Sequence, residues 1–470
     1  MLESLESGTR NSGVNVGPSK GSDSKGSNSG PAEDFSSSSD GSSSDVGIVG
    51  HLSWKTVGMI EIGEIVGVGV LTMGLAFEEL GYVLAIVLIG ILGPVNIYMG
   101  ILLSRSYQVF PSSVSYATLA DLCMWPWAGY VLKFVTYIYF VFVASSYFLA
   151  LSQTLEIAFW GVELCQPLWS IIAFCALIGP IQVQSFSGAQ IVFWINFGLI
   201  VVAILLVLIY MFINMKDSDG RDSVYAGTPP SISWLTFFGA LSKITFAYLG
   251  CFVFLEIIAE MKTPSDFPKS FRISAPVQIG LYIIVGIISY TYSGENASDS
   301  IIKLVDPETY GGLLSAAAAC LCLHLMVSYF IISLTWHKQV HQYVSPSTYG
   351  KTNLKSRLIW FCISFLTLIF AYVISNGVTF FDSLVSLLGS LFGPILGFHA
   401  PIIFFFLARR KEGRPISWLE KTICAIIFIY ATVLLTAGTA ANIITLRDDF
   451  SDSDTQPFTC TRSSYLDSYN

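Results

Sequence analysis

The chain of 470 residues is 53% hydrophobic and only 12% charged, whereas charged residues make up about a quarter of an ordinary soluble protein. This composition excludes a soluble globular protein, because a soluble domain of this length must cover its surface with polar groups. The net charge of −8 lies largely in tails and loops, so it indicates neither a nucleic-acid partner nor an acidic protein partner.

The first 45 residues contain 15 Ser and 7 Gly and almost no large apolar side chain. Such a segment cannot bury enough apolar surface to fold, so we predict a disordered cytoplasmic tail over residues 1–52. No apolar stretch lies near Met1, and we therefore expect no cleavable signal peptide.

Long apolar runs follow from Trp54 onward. Residues 190–213 carry no charge over 24 positions, and a helix needs roughly 20 apolar residues to cross a bilayer. The runs predict an all-α polytopic membrane protein with a transmembrane domain over residues 53–446 and a short extracytoplasmic tail over residues 447–470. Eleven transmembrane helices are expected, at 57–77, 82–103, 127–151, 168–184, 190–213, 235–258, 275–293, 311–334, 358–376, 383–407 and 422–444.

The loops differ in their content of basic residues. With the N-terminus in the cytoplasm, the cytoplasmic segments hold 18 Lys and Arg and the opposite segments hold 5, while Lys243 lies within a span. Cytoplasmic loops are enriched in these residues, so we expect a cytoplasmic N-terminus and an extracytoplasmic C-terminus. The sequon at Asn296 falls in an extracytoplasmic loop, which makes Asn296 a candidate glycosylation site.

The nine cysteines are scattered singly and show no spacing typical of metal ligands. Cys165 and Cys460 both fall in extracytoplasmic segments, where a disulfide between them is an option, and the others read as small packed side chains. His337 and His341 have the spacing of helical metal ligands, but they lie in a basic loop without nearby carboxylates and are expected at the surface. We therefore predict no metal site and no cofactor.

Two predicted helices are interrupted by glycine. The first span contains Gly67-Val68-Gly69, and the sixth contains the sequence FAYLG at 246–250. The interruptions occupy equivalent positions if the chain consists of two five-helix halves and one C-terminal helix. Paired interruptions of this kind mark the central site of a transporter, since free half-helix ends attract a carboxylate and free carbonyls accept from an ammonium group.

The alternative explanation for these glycines is helix packing. Gly63 and Gly67 have the four-residue spacing of a small-residue packing face, as do Gly389 and Gly393, and most membrane glycines serve only packing.

Ionisable residues inside the predicted spans are the second signal, because each costs roughly 2.5–3.5 kcal/mol on insertion scales. Glu64 and Lys243 each lie within two turns of an interruption and are the candidate ion-coupling residues, with Glu64 able to carry a coupling proton. The alternative is a fixed ion pair between Glu64 and Lys243 that holds the broken helices together. Glu61 lies nearer the cytoplasmic end and is expected to snorkel to the interface or to contact water, and His324 is expected to be a hydrogen-bonded interior histidine.

Three segments in the same order carry a family resemblance: GVGVLTMGLAF at 67–77, FAYLGCFVFLEIIAEMKTPSDFPKS at 246–270, and SLLGSLFGPILGFHAPIIFFFLAR at 386–409. Together they resemble the amino acid/auxin permease family over nearly all of residues 54–446. The sequences WKTVGMIEIGEIVGVGVLTM and EMKTPSDFPK look most like its fungal neutral amino-acid permease branch.

This resemblance implies a LeuT-type fold of eleven helices, in which a 5+5 inverted repeat is followed by one C-terminal helix. The substrate would lie between the broken first and sixth helices, usually with proton-coupled uptake. The residues implied for the substrate carboxylate are Gly67, Val68, Gly69 and Val70. Those implied for the side-chain pocket and the amine are Phe246, Ala247, Tyr248 and Gly250. The third and eighth helices would complete the pocket through Tyr137, Ser145, Ser315 and Ser328.

Two positions depart from the family pattern. Gly74 stands where the family commonly has proline, so a softer kink is expected there. Lys243 stands where related sequences usually have a small or amide residue. A fixed ammonium group at that position would replace a coupling cation or bind an acidic substrate.

The leading prediction is a secondary active transporter that moves neutral or aromatic amino acids by proton symport, with the substrate and the lipid bilayer as its partners. The alternative is an amino-acid receptor that keeps the fold and signals through its tail. An enzyme is not expected, because the five histidines form no HExxH and there is no GxSxG motif. A channel stays open, although no filter motif is present. The plasma membrane is the expected location, with the vacuolar membrane as the alternative.

Overall fold

The computed structural model describes residues 50–184, 190–216, 218, 223–452 and 457–460, so the predicted tail lies almost wholly outside the described residues. Within these ranges the chain is helical, apart from one isolated bridge between Leu52 and Met261. The α-helices are α1 Trp54–Val66, α2 Met73–Val109, α3 Tyr116–Cys123, α4 Pro126–Ala158, α5 Gln166–Ile178, α6 Gln190–Ile213, α7 Trp234–Ala247, α8 Cys251–Ala259, α9 Phe267–Ser293, α10 Pro307–Val344, α11 Leu354–Gly377, α12 Phe381–Leu391, α13 Ala400–Glu412, α14 Trp418–Val433 and α15 Thr439–Asp452.

Small polar residues start several of these helices. At six N-termini the side chain before the first helical residue accepts a hydrogen bond from a backbone N–H of the first turn, which satisfies one of the donors that a helix end leaves free. These capping residues are Ser53 of α1, Ser115 of α3, Ser233 of α7, Asp306 of α10, Asn353 of α11 and Ser417 of α14.

Large apolar side chains cover the outer faces of the bundle. On α6, for example, Ile191, Ile195 and Phe212 are 70%, 54% and 73% exposed. Contiguous exposed apolar surface of this kind fits the hydrocarbon of a bilayer and not water.

Eight helices of the described residues are long and apolar enough to cross a membrane, or nine if the bent pair α12 and α13 is counted as one span. Two further predicted spans correspond to α1 and α5, each of 13 residues. These two fall below the length of a full crossing, so the total of eleven stays a prediction.

Both predicted interruptions are confirmed. α1 ends at Val66, Gly67 has φ −5° and ψ −116°, and a 3₁₀ turn over Val68–Thr72 leads into α2. α7 ends at Ala247, and α8 begins at Cys251.

A second break separates the first two predicted spans inside α2. Gly81 has φ +74°, a left-handed conformation that glycine adopts without strain. A Cβ atom there would lie 1.9 Å from the carbonyl oxygen of Gly227, so the close backbone approach also requires glycine. The residue falls between the predicted ends at 77 and 82, and it turns the chain from one helix into the next.

The broken helices lie in the middle of the bundle. An apolar stretch of 18 residues in α7 and α8 is 89% buried inside the structure, compared with 28% for the corresponding stretch of α14 and α15. α1 packs against α6 and α9, α7 packs against α2 and α12, and α10 packs against α4 and α6. The outer helices therefore enclose both interruptions.

A disulfide joins Cys165, just before α5, to Cys460 in the C-terminal segment. The sequence offered this pairing as an option, and the structure contains it. The other seven cysteines lie within the described residues and are free.

Two predictions about polar residues are wrong. Glu61 does not reach an interface: it is 1% exposed, and its two carboxylate oxygens accept hydrogen bonds from Ser270 and Ser274 of α9 at 2.7 and 2.5 Å. His337 and His341 do not lie on a surface loop, because α10 continues ten residues beyond the predicted end at 334 and buries both rings. The described residues contain no group of three metal-ligating side chains.

Candidate substrate site between the broken helices

The two interruptions touch one another. A Cβ atom at Gly69 would lie 2.6 Å from the Cα atom of Ala247, and one at Gly250 would lie 2.5 Å from the side chain of Ile65. Both glycines therefore allow backbone segments that are about 180 residues apart in sequence to approach closely. The two contacts also show that the segments run antiparallel, because Ile65 pairs with the later residue Gly250 and Gly69 with the earlier residue Ala247.

The hydroxyl group of Tyr282 lies within hydrogen-bond distance of both interruptions. The Oη atom of Tyr282 on α9 lies 3.0 Å from the carbonyl oxygen of Ile65 and 2.6 Å from that of Ala247. These carbonyls belong to the last turns of α1 and α7, where a helix end leaves acceptors without intrahelical donors. A tyrosine hydroxyl has a single proton, so the two carbonyls share one donor.

A polar cluster lies beside the break of α1. The Nδ2 group of Asn196 on α6 donates to Glu64 Oε1 at 3.2 Å and to the Ser328 hydroxyl at 3.1 Å, and Ser328 on α10 donates to Glu64 Oε1 at 3.3 Å. His324, one turn earlier on α10, places Nδ1 3.2 Å from the carbonyl oxygen of Asn196. We call Glu64, Asn196, Ser328 and His324 the Glu64 cluster.

The Glu64 cluster keeps three buried polar atoms without a hydrogen-bond partner among the described residues: Glu64 Oε2, Asn196 Oδ1 and His324 Nε2. The expectation that His324 is a hydrogen-bonded interior histidine is confirmed, since its side chain is 0% exposed. Its second nitrogen is nevertheless unpaired. Buried polar atoms are almost always paired, so an unpaired one calls for an explanation such as a ligand or a proton.

The second ionisable candidate, Lys243, forms a separate cluster. Its Nζ atom lies 2.6 Å from Glu79 Oε1 at the start of α2 and 3.7 Å from Asp382 Oδ2 on α12, and its side chain is 3% exposed. We call Lys243, Glu79 and Asp382 the Lys243 cluster. The alternative of a fixed ion pair between Glu64 and Lys243 is therefore wrong.

The antiparallel course of the two segments explains this separation. Glu64 precedes the break on α1 and lies toward the α8 side, while Lys243 precedes the break on α7 and lies toward the Thr72 side. The two residues thus diverge from the central contact in opposite directions. The Lys243 cluster borders a cavity of about 300 Å³, whose lining also includes Asp448 and Asp449.

A smaller cavity of about 40 Å³ lies on the other side of the contact. Glu64 and Glu256 both line it, and Glu256 accepts a hydrogen bond of 2.8 Å from Gln339 on α10. Apart from three glutamates and Thr335 its lining is apolar, and its volume has room for a water molecule.

The remaining predicted site residues divide into two groups. Val68, Val70 and Phe246 are buried at the breaks together with the glycines and Ala247. Tyr248 packs edge-on against Tyr282 with ring centroids 5.1 Å apart, and its hydroxyl donates to the carbonyl oxygen of Ile89 at 3.2 Å.

Three predicted residues have partners away from the breaks. Ser145 donates to the carbonyl oxygen of Val141 in its own helix at 2.7 Å, and Ser315 donates to that of Ala158 at 2.9 Å. Tyr137 packs edge-on against Trp336 at 5.0 Å. Ser328 differs from these three, because it lies in the Glu64 cluster.

Sequence reasoning missed Asn196, Tyr147 and Tyr282. Asn196 had a usable signal, since it is an amide within an otherwise apolar run and polar residues inside spans tend to face the bundle interior. Tyr147, whose hydroxyl donates to the carbonyl oxygen of Glu64 at 3.1 Å, and Tyr282 had none, because the chain contains 22 tyrosines.

The family model described as transmembrane amino acid transporter protein matches residues 50–445. The chain belongs to this family. It is thus an integral multi-pass membrane protein, and the resemblance expected from the three sequence segments is confirmed.

Curated relatives carry transporter names. The chain is 23% identical over 435 residues to the N amino acid transport system protein of Neurospora crassa, a match that covers 87% of this chain and 88% of the relative. It is 22% identical over 405 residues to amino acid transporter AVT1B of Arabidopsis thaliana, with 84% and 72% covered. These relatives are membrane transporters and not enzymes, and their names give no support to the receptor alternative.

Solved transporter structures share the fold. MhsT in complex with L-phenylalanine aligns with a TM-score of 0.55 at 14% identity, covering 85% of this chain and 99% of that protein. Mhp1, a nucleobase-cation-symport-1 family transporter with bromovinylhydantoin bound, aligns with a TM-score of 0.57 at 14% identity, covering 90% and 97%. At this identity the likeness shows the fold alone.

Proposed function

We propose that the protein is a secondary active transporter that carries neutral or aromatic amino acids by proton symport, with alternating access around the broken helices. The observation that supports this most directly is the contact between the two interruptions, Gly69 against Ala247, in the centre of an amino acid transporter fold. Helix breaks at that depth free backbone donors and acceptors where they line an enclosed site.

The two ends of an amino acid find complementary groups there. We propose that backbone N–H groups of Gly67, Val68, Gly69 and Val70 bind the substrate carboxylate, supported by the short half-helix that starts at this break. Carbonyl groups around Phe246 and Ala247 would accept from the ammonium group. Tyr282 holds the Ile65 and Ala247 carbonyls in the described conformation, and we propose that the substrate ammonium group competes for the latter.

The preference for neutral or aromatic substrates rests on the apolar surroundings of the breaks. Val68, Val70 and Phe246 surround the contact, and a charged substrate side chain would be costly to bury there without a partner. The solved structure of MhsT, which contains L-phenylalanine, supports an aromatic probe as the first choice.

Glu64 is the residue that we propose for proton coupling. Its carboxylate receives hydrogen bonds from the neutral groups Asn196 and Ser328, and Oε2 has no partner among the residues the structure describes. A carboxyl group with such neighbours can exchange a proton without breaking an ion pair. For Lys243, the other ion-coupling candidate, we propose that it holds the ends of α2, α7 and α12 together.

We also propose how often the chain crosses the membrane and on which side its termini lie. Eleven crossings result if α1 with its following turn and the short α5 are counted as spans, since Gly81 separates the first two. The N-terminus with residues 1–52 would lie in the cytoplasm, and residues 447–470 with Asn296 on the opposite side. Asn296 is exposed, as a glycosylation site requires, and the plasma membrane is the proposed location.

The test is uptake into proteoliposomes of each of the twenty labelled amino acids, with and without an inward proton gradient. We expect gradient-stimulated accumulation of neutral amino acids, with L-phenylalanine and L-leucine among them. Binding without accumulation of any amino acid would replace the transporter by a receptor. Accumulation that is equal with and without the proton gradient would support a transporter and contradict proton symport.

A further inference from the structure

We infer that His324 is a protonation site of the substrate pocket, and that its protonated ring donates a hydrogen bond to the substrate carboxylate at the Gly67 break. The inference rests on the proposed function and adds a residue that sets how tightly the carboxylate binds at a given pH.

The first step is the tautomer of the ring. Nδ1 of His324 lies 3.2 Å from the backbone carbonyl oxygen of Asn196. A carbonyl oxygen only accepts hydrogen bonds, so Nδ1 must carry the proton. In the neutral ring Nε2 is then unprotonated and acts as an acceptor.

The second step is the direction in which Nε2 points. A Cβ atom built on Gly67 would lie 3.6 Å from Nε2 of His324 and 3.0 Å from the hydroxyl of Tyr147. Glycine at position 67 leaves this face of the break without a side chain, so the ring faces the non-helical backbone directly. His324 is 0% exposed, and Nε2 has no partner in the part of the chain that the structure describes.

The third step concerns the neighbours of the ring. Tyr147 on α4 donates its hydroxyl proton to the carbonyl oxygen of Glu64, so that proton is not available to Nε2. Glu64 is the titratable group on α1, while α6 contributes the neutral Asn196 and α10 the neutral Ser328. A charged ring in this setting needs a nearby anion, because an isolated buried charge is costly.

A substrate carboxylate at the Gly67 break supplies that anion. Protonation turns Nε2 from an acceptor into a donor aimed at the place where the carboxylate binds, and the resulting charged hydrogen bond is stronger than a neutral one. Each ligand then favours the other, since the coupling free energy between two binding events is reciprocal.

His324 and Glu64 have different parts in this scheme. The Glu64 oxygen with partners accepts from Asn196 and Ser328, so protonation of Glu64 changes contacts between α1, α6 and α10. Protonation of His324 changes a donor that faces the substrate. We therefore assign the pH dependence of substrate binding to His324 and the use of the proton gradient for accumulation to Glu64.

The test is equilibrium binding of ³H-labelled L-phenylalanine and L-leucine to the purified full-length protein between pH 5 and 8. For the wild type the affinity should rise as the pH falls, by up to about tenfold per pH unit, because one proton is bound with each substrate molecule. His324→Gln keeps a permanent amide donor near the Nε2 position. It should bind within about threefold of the wild-type affinity at low pH and lose the pH dependence.

His337→Gln is the matched control, since His337 is also buried in α10 but its Nε2 pairs with Thr367 on α11 at 3.2 Å. It should keep the wild-type pH profile. A His324→Gln protein that binds with the wild-type pH profile would overturn the inference.

A measurement on the wild type keeps the inference testable if His324→Gln does not fold. Saturating L-phenylalanine added to weakly buffered protein should take up protons, as read by an indicator dye, whereas L-phenylalaninamide, which lacks the carboxylate, should not. Binding of the amino acid without proton uptake throughout the pH range would contradict the role of His324. The proposed function can fail without this inference. If substrate binding takes up protons but no substrate crosses the membrane, the protein is not a transporter and the role of His324 in binding stands.

Discussion

The Glu64 cluster and the Lys243 cluster lie on opposite sides of the same helix contact, and they handle buried charge in opposite ways. In the Lys243 cluster an ammonium group contacts one carboxylate at 2.6 Å and faces a second at 3.7 Å. In the Glu64 cluster a carboxylate contacts neutral donors, and two oxygens and one histidine nitrogen have no partner in the described ranges. The Lys243 cluster has one such atom, Glu79 Oε2.

The difference separates a structural role from an exchange role. A buried charge with an opposite charge in contact resists change, because removal of either partner leaves the other uncompensated. A buried acid held only by neutral donors can gain or lose a proton while its hydrogen bonds rearrange. The neutral partners of Glu64 therefore mark the side of the contact where we propose that a proton and a substrate carboxylate bind.

The largest expected effect comes from the contact that separates the two clusters. Gly69→Leu should abolish uptake while the protein still reaches the membrane, because a side chain there would occupy the proposed carboxylate site and its Cβ atom would meet the backbone of Ala247 at 2.6 Å. The measurement is uptake of L-phenylalanine normalised to protein in the membrane. Gly90→Leu is the control, since a Cβ atom at Gly90 meets nothing within 4 Å and uptake should persist. Retained uptake in Gly69→Leu would remove the site from this contact.

The next effect tests the Lys243 cluster. Lys243→Met should lower the free energy of unfolding, toward the lower end of about 3–5 kcal/mol, because Glu79 and Asp382 lose their counter-ion but border a cavity. A thermal denaturation midpoint in detergent measures the change. Adding Glu79→Gln to the variant should recover part of the loss.

Lys133→Met offers a matched control for that variant. Lys133 pairs with Asp121 at 2.6 Å, but the Asp121 side chain is 56% exposed, so the change should be about 0–1 kcal/mol. Equal shifts for the two lysines would show that the Lys243 cluster has no special structural role.

A smaller effect is expected for the Glu64 cluster, where uptake should lose its dependence on the proton gradient. Glu64→Gln keeps the size of the side chain and an acceptor oxygen, so substrate should still bind, but a proton gradient should no longer stimulate accumulation. Uptake in proteoliposomes at equal and unequal pH measures this. Glu61→Gln is the control, because Glu61 is a buried carboxylate of the same helix whose oxygens are both held by serines. Loss of stimulation in both variants alike would argue against a specific role for Glu64.

The smallest effect is expected at Asn296, which is exposed and lies away from both clusters. Asn296→Gln should remove a glycosidase-sensitive shift in gel mobility from protein made in a eukaryotic host and leave uptake unchanged. Identical mobility of wild type and variant would show that the sequon is not used.

Local sequence patterns predicted much of the fold. Uncharged runs identified the membrane helices, and glycines at 67, 69 and 250 identified the two interruptions, because a bilayer-spanning helix cannot lose its backbone hydrogen bonds without a local cause. A disulfide between Cys165 and Cys460 was an option because both were predicted to lie on the same side of the membrane. The family resemblance pointed to the residues of the breaks.

The predictions that were wrong all concerned partners. Glu61 was expected at an interface because the sequence does not show that Ser270 and Ser274, one turn apart on α9, face it. An ion pair between Lys243 and Glu64 was one of the alternatives. The actual partner of Lys243 is Glu79, which lies outside the predicted first span. For Tyr137, Ser145 and Ser315 the partners lie away from the breaks, and their place in the pocket stays a prediction.

By itself the sequence determined which segments are apolar enough to enter a membrane, where two of them break, and which family the chain resembles, since these depend on neighbouring residues. Only the tertiary structure decided that Glu64, Asn196 and Ser328 meet although successive members are 132 residues apart. It also decided that Nε2 of His324 lies at Gly67 without a partner among the described residues. Such partnerships depend on how separate helices cross, and the direction of a side chain across a helix interface is not encoded in its local pattern.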